Sequence, residues 1–317
     1  MSAQVANPVI LTDAVRQSLA EAIAQVNELV LGKPREIGLA FATLLAGGHL
    51  LVEDRPGLGK TTLARSMAAT LGLDFQRMQF TSDLLPSDIL GVSIFDPTAR
   101  EFRFHPGPIF AQLLLADEIN RAPPRTQSAL LEAMAEWQVT VDGVCHHLPQ
   151  PFFVIATQNP VDLAGTFPLP DSQLDRFLMR IRLGYPDAAS ERAMLAGSDR
   201  RELVAHAIPR LSQSDVLSLR EAASKVHSSP TLVDYVQALM AASRRHRGVR
   251  VGLSPRAGLA LLQGARAHAL IAGREHARPE DVQALFGEVA AHRLVPDAES
   301  EGRDALAASI LKSVAVD

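Results

Sequence analysis

Residues 53–62 read Glu-Asp-Arg-Pro-Gly-Leu-Gly-Lys-Thr-Thr, directly after the apolar run His49-Leu50-Leu51-Val52. Such a run reads as a buried strand, and the glycine-rich segment behind it as a turn into a helix. A turn of this kind points backbone N–H groups at an anion. Gly57 and Gly59 let the chain approach phosphate oxygens without a Cβ in the way. Lys60 is placed to reach the β- and γ-phosphates of a nucleotide, and Thr61 to set its hydroxyl on Mg²⁺. Pro56, Leu58 and Thr62 complete the phosphate loop. The pattern G-x-x-x-x-G-K-[ST] would have glycine at position 54, where this chain has Asp54; from Pro56 onward it is intact. Lysine occurs only at positions 33, 60, 225 and 312, so one of very few stands at the phosphate position.

A second motif, Leu113-Leu114-Leu115-Ala116-Asp117-Glu118, places two carboxylates behind another buried strand. Asp117 is suited to hold Mg²⁺, and Glu118 to orient and polarise an attacking water. Phosphoryl transfer needs positioning and charge neutralisation more than covalent chemistry. The plainer reading is a solvated strand end, although paired carboxylates after four apolar residues are unusual away from a site.

Outward from these motifs, strands alternate with helices, which predicts a parallel, three-layered α/β sheet with ligands bound beyond the carboxyl ends of its strands. Helices are expected over Thr12–Asn27, Pro34–Ala46, Thr61–Leu71 and Pro123–Trp137, and a short one over Asp171–Phe177. Strands are expected at Phe75–Phe80 and Phe152–Thr157, with a hairpin over Gln138–His147 centred on Asp142-Gly143. Residues 90–104 read as a hairpin inserted on the core. Beyond Tyr185-Pro186-Asp187 the patterns are helical, with Pro255 and Pro279 in first turns. The expected division is an N-terminal helix and linker over 1–28, a nucleotide-binding core over 29–186 and a helical lid over 187–317.

The 317 residues are 47% hydrophobic, enough for a sizeable core in two domains. A net charge of −4 and 5% aromatic residues argue against nucleic acid as a partner. The single cysteine, Cys145, cannot form an internal disulfide, and cytosolic residence is the expectation. Met1 to Asn7 lacks the features of a signal peptide, and no apolar stretch approaches a membrane span. Cys145-His146-His147 reads as a strand with alternating side chains, not a metal cage, and Arg244-Arg245-His246-Arg247 as a solvated helix end.

From His49 to Ile181 the chain closely resembles the MoxR family of AAA+ ATPases. The most specific stretch is Ala116-Asp117-Glu118-Ile119-Asn120-Arg121-Ala122-Pro123-Pro124-Arg125-Thr126-Gln127, running on to Leu130-Leu131-Glu132-Ala133-Met134. Ala156-Thr157-Gln158-Asn159-Pro160, Gln173-Leu174-Asp175-Arg176-Phe177 and Ser254-Pro255-Arg256-Ala257 are further matches. Asp171-Ser172 departs from the Glu-Ala more usual in the family, and Met1 to Ala24 lies outside the likeness.

The resemblance implies a two-domain AAA+ P-loop module that works as a ring, commonly a hexamer, with ATP and Mg²⁺ between neighbouring subunits. It implies Asn159 as the sensor-1 residue at the γ-phosphate, a role that a polar side chain at a strand's carboxyl end also fits; the alternative is an ordinary Asn-Pro turn. It implies Arg176 as the arginine finger, with Arg180 in reserve; the alternative is a surface ion pair with Asp175 or Asp171. Arg256 corresponds to sensor 2, acting on its own site or a neighbour's, against a plain helix-surface arginine. Val30-Leu31-Gly32 resembles the segment that packs on adenine. Chaperone-like remodelling, maturation or cofactor insertion follows from the family, with a von Willebrand factor A domain protein as partner. An activase or chelatase-type engine, a nucleic-acid motor and a non-hydrolysing nucleotide-gated scaffold are the rival readings.

Overall fold

The computed structural model describes residues 12–160, 165–197, 199–298 and 301–316. The reading of Met1 to Asn7 lies outside them. Helix α1 (Asp13–Leu29) is capped by Thr12, whose hydroxyl accepts from the Val15 N–H, and α2 (Pro34–Leu45) follows a turn at Gly32. Strand β1 (Leu50–Glu53), helix α3 (Lys60–Leu71) and strand β2 (Phe75–Gln79) come next. A short helix α4 (Pro86–Leu90) leads into the inserted hairpin, β3 (Gly91–Asp96) and β4 (Glu101–Pro106). Then come β5 (Leu113–Asp117), α5 (Pro124–Glu136), β6 (Gln138–Val141), β7 (Val144–His147) and β8 (Phe153–Gln158). Asp142 and Gly143 both take positive φ, at 50° and 78°, the backbone of a tight hairpin turn that follows the strand twist. A four-residue helix α6 (Asp171–Leu174) and strand β9 (Met179–Ile181) end the α/β part.

The sheet has five parallel strands in the order β2-β5-β8-β1-β9. Its three central strands, β5, β8 and β1, are apolar on both faces because helices cover both. Leu113, Leu115, Phe153 and Ile155 point to the side of α1, α2 and α3. Leu114, Ala116, Val154 and Ala156 point to the side of α5 and join Leu130, Leu131 and Met134. The three-layer α/β core expected from the alternating pattern is therefore present.

The C-terminal part comprises α7 (Ala188–Ala196), α8 (Arg200–Ala205), α9 (Gln213–Lys225), α10 (Pro230–Arg245), α11 (Pro255–Ile271), α12 (Pro279–Ala290) and α13 (Arg303–Lys312). Ser212, Ser229 and Ser254 cap α9, α10 and α11, each accepting a backbone N–H of the first turn. A short ribbon, β10 (Val249–Val251) against β11 (Val295–Pro296), and a single bridge between His227 and His276 interrupt the helical structure of this lid. Among the described residues no helix is long and apolar enough to cross a membrane.

Two buried histidines pin the fold. The Val154 N–H donates to His49 Nδ1 at 3.0 Å, and His49 Nε2 donates to the Met134 carbonyl at 3.3 Å. His292 Nε2 donates to the Phe177 carbonyl at 3.1 Å, joining lid to sheet. Burial pushes His49 down to about 3, and burial beside Arg293 holds His292 well below its ordinary value. Both pKa values are lower in the folded chain, so the unfolded chain takes up more protons once pH drops below about 6.5. Stability should thus be full above about pH 6.5 and fall as pH declines, for His49 toward about pH 3 and by up to about 1.4 kcal/mol per pH unit, with His292 adding in the same direction. Urea unfolding at about pH 7 and about pH 5 checks this; equal midpoints would contradict it.

Candidate functional site

Strands β1, β5 and β8 end at Glu53, Asp117 and Gln158, and the phosphate loop, Glu118 and Asn159 follow them directly. Parallel pairing puts these ends on one edge of the sheet. A cleft of about 710 Å³ opens there, lined by Pro56, Gly57, Gly59, Lys60, Thr61 and Thr62 on one wall. Arg77, Gln79, Asp117 and Glu118 form the floor, and Arg200 and Arg201 of α8 the far side. Asn159 is half-buried at the end of β8.

Gly57 and Gly59 have φ of 83° and 89°, where a side chain would be strained. Leu58 between them is half-buried. Lys60 is buried at the start of α3, and its Nζ donates to the carbonyls of Asp54 and Arg55. Burial pulls its ammonium below the ordinary lysine value, opposed by Asp54, Asp117 and Glu118. Asp54, the departure from the glycine pattern, is a buried anchor. One of its oxygens accepts from the Arg55 N–H at 2.9 Å and the other from the Gly184 N–H at 2.6 Å. It ties the loop to the segment leading into the lid. Lys33 Nζ donates to the Tyr185 carbonyl at 2.8 Å, and Gly32 lies against Ser190, so the Val30–Lys33 turn joins the same junction.

One residue that the motifs alone do not reveal holds the Asp117 carboxylate and the Glu118 backbone together. Thr157, fully buried on β8, donates its hydroxyl to Asp117 Oδ1 at 2.6 Å and accepts from the Glu118 N–H at 2.9 Å. Asp117 Oδ2 accepts from Arg77 Nη2 at 2.7 Å and from its Nε at 3.2 Å. Glu118 has φ of 57°, a left-handed backbone uncommon outside glycine, which marks a constrained site residue. Its Oε2 accepts from Gln79 Nε2 at 2.9 Å and pairs with Arg121 at 3.0 Å. Thr61 and Asp117 offer a hydroxyl and a carboxylate, the hard oxygen donors that Mg²⁺ takes. The guanidinium seated on Asp117 is already a cation at that oxygen, so these residues fit the ion.

Arg176 and Arg256 meet elsewhere. They share a second cleft, of about 330 Å³, with Gly48, His49, Asp175 and Arg293. Gly48 and His49 precede β1, and Arg176 precedes β9, so this cleft lies at the amino ends of the strands. The four residues of β1 alone span roughly 13 Å, which separates these arginines from the Lys60 cleft. Arg176 Nη1 donates to the Leu131 carbonyl at 3.0 Å. Asp175 is taken by Arg293 at 2.6 Å and lies 4.0 Å from Arg256, and Asp171 pairs with Arg303 at 2.7 Å. Neither aspartate is the partner of Arg176 expected on the surface-pair reading. Arg180 is held by Glu53 at 3.0 Å and by Asp304, with only 9% of its side chain exposed.

A sequence model described as "ATPase family associated with various cellular activities (AAA)" matches residues 49–179, and one described as "AAA lid domain" matches residues 241–312. The chain is 43% identical over 302 residues to the uncharacterized protein YeaC of Bacillus subtilis, covering 94% of each. It is 40% identical over 287 residues to the chaperone MoxR1 of Mycobacterium tuberculosis, covering 88% of this chain and 76% of that one. It is 34% identical over 317 residues to the protein MoxR of Paracoccus denitrificans, with 92% and 93% covered. A crystal structure of a protein from Cytophaga hutchinsonii superimposes with a TM-score of 0.87 at 36% identity, covering 96% of both chains.

Proposed function

This chain belongs to the MoxR family of AAA+ ATPases, and from that premise we propose that it hydrolyses ATP at sites shared between neighbouring copies in a ring. The observation that carries the reading is the placement of Arg176 and Arg256 together at the sheet edge opposite Lys60. Within one chain these arginines are remote from the phosphates. In a head-to-tail ring they face the next copy's cleft, the heterologous contact that closes rings. Arg256 therefore acts in trans, alongside Arg176. Arg180, bound on both sides, is the poorer finger.

In the cleft, the phosphate loop from Pro56 to Thr62 and Lys60 grip the triphosphate. Mg²⁺ at Thr61 and Asp117 would neutralise charge on the phosphates. Glu118 accepts the proton of the attacking water, and Asn159 orients that water against the γ-phosphate. Thr157 fixes the Asp117 carboxylate and the Glu118 backbone, and Gln79 holds the Glu118 carboxylate, so each is positioned before nucleotide arrives.

Residues 29–186 form the nucleotide-binding unit and 187–317 the lid. Glu53, Arg180, Arg182 and Asp304 bridge the strand that enters the phosphate loop to α13, a route by which nucleotide state reaches the lid. The work done is chaperone-like remodelling of partner proteins in the cytoplasm, by a hexamer acting with a von Willebrand factor A domain protein. The hairpin β3–β4 is the contact element: Phe95 and Phe102 pair at its far end with ring centroids 5.3 Å apart, and Phe102 is 72% exposed. The test is phosphate release by the purified chain with ATP and Mg²⁺. Turnover that Lys60→Ala abolishes supports the reading; turnover absent in the parent under ring-forming conditions would replace it with a nucleotide-gated scaffold.

A further inference from the structure

The Asp117 carboxylate already has a cation. Strand β2 lies beside β5, with Arg77 opposite Leu115 and Gln79 opposite Asp117. Arg77 and Gln79 are two residues apart on a strand and so leave the sheet on one face, that of the cleft. Arg77 reaches along it to place Nη2 2.7 Å and Nε 3.2 Å from Asp117 Oδ2. The other oxygen is occupied by the Thr157 hydroxyl at 2.6 Å. Both carboxylate oxygens are thus committed, one to a neutral donor and one to a positive charge. The Thr157 bond is buried. The Arg77 pair is open on the arginine side only, with 42% of the Arg77 side chain exposed against 11% of that of Asp117. A guanidinium with solvent on one side can leave its partner at modest cost.

We propose that Arg77 is an internal counter-ion of Asp117 that a divalent cation must displace, so that Arg77 sets the Mg²⁺ concentration at which nucleotide is held. The inference rests on the reading of Asp117 as a metal residue. A guanidinium and a magnesium ion cannot share the open side of one oxygen, and each repels the other. Without nucleotide, Arg77 keeps the carboxylate neutralised. With Mg²⁺ present, the guanidinium moves off Asp117 toward solvent, where much of its side chain already lies. Arg77 is a positioning residue in this scheme.

The test is binding of a non-hydrolysable fluorescent ATP analogue to the full chain as Mg²⁺ is titrated. Arg77→Met should lower the Mg²⁺ midpoint by at least roughly 3- to 5-fold, the scale of one ion pair open to solvent on one side. Arg77→Lys keeps the charge but not the two-nitrogen contact with Oδ2, so its midpoint should fall between those of the parent and Arg77→Met. A midpoint unchanged or raised in Arg77→Met, or lowered equally in Arg77→Lys, would overturn the inference. Asp117→Asn separates the two layers. It should weaken the Mg²⁺ dependence, and adding Arg77→Met to it should change nothing further. If Asp117→Asn shifts the midpoint and Arg77→Met does not, the inference alone fails. If Asp117→Asn keeps the parent midpoint, the metal assignment fails and the inference goes with it.

Discussion

Glu118→Gln should bind nucleotide as the parent does while turnover falls by about 10²- to 10⁴-fold. The substitution keeps the shape of the side chain. It leaves the backbone N–H that donates to Thr157, and the amide can still meet Gln79. What is lost is the carboxylate that accepts the proton of the attacking water. Lys60→Ala is the contrast. It removes the ammonium at the phosphate loop, and both binding and turnover should disappear. Equilibrium binding and phosphate release on the same preparations separate the two effects. Equal losses of affinity in the two variants would mean that Glu118 holds the nucleotide and does not act on water.

Arg176→Ala should leave affinity nearly unchanged and lower turnover by about 10³- to 10⁵-fold, the range of an arginine supplied to a transferring phosphoryl group. The side chain is half-buried, and the bond it forfeits is to the Leu131 carbonyl. The loop around it is fastened independently: Arg293 holds Asp175 and donates to the Phe177 and Leu178 carbonyls, and Arg303 holds Asp171. A loss of turnover with the loop intact is therefore a loss of the guanidinium. Thermal unfolding checks this, since a structural role would lower the melting temperature along with the activity.

Much of this site is legible in the chain because its chemistry is local. The phosphate loop and Asp117-Glu118 carry their meaning in consecutive residues, and the flanking apolar runs give away the strands. The lid helices α11 and α12 announce themselves by Pro255 and Pro279 in their first turns. Helices α7 and α8 bury none of their described residues, so they carry no apolar stripe to find, yet α8 lines the nucleotide cleft. Arg77 and Gln79 escape notice because their role depends on β2 lying next to β5, a fact of strand order. Thr157 stands inside a stretch that resembles the family, but its bonds to the Asp117 carboxylate and the Glu118 backbone N–H exist only once β8 and β5 are paired. Asp54 looks like a defect in a glycine pattern until Gly184, far along the chain, is found beside it. What the sequence hides is contact across strands and between the core and the lid.

The shared site is tested most directly by mixing the two variants. Glu118→Gln chains keep Arg176 but lack the working carboxylate; Arg176→Ala chains have the reverse defect. In rings assembled from equal amounts, random assortment joins a sound cleft to a sound arginine at roughly a quarter of the interfaces, because each contact is head to tail. Turnover in the mixture should therefore rise well above that of either variant alone. A mixture no faster than the sum of its two inactive components, under conditions where rings form, would contradict a site built from two chains.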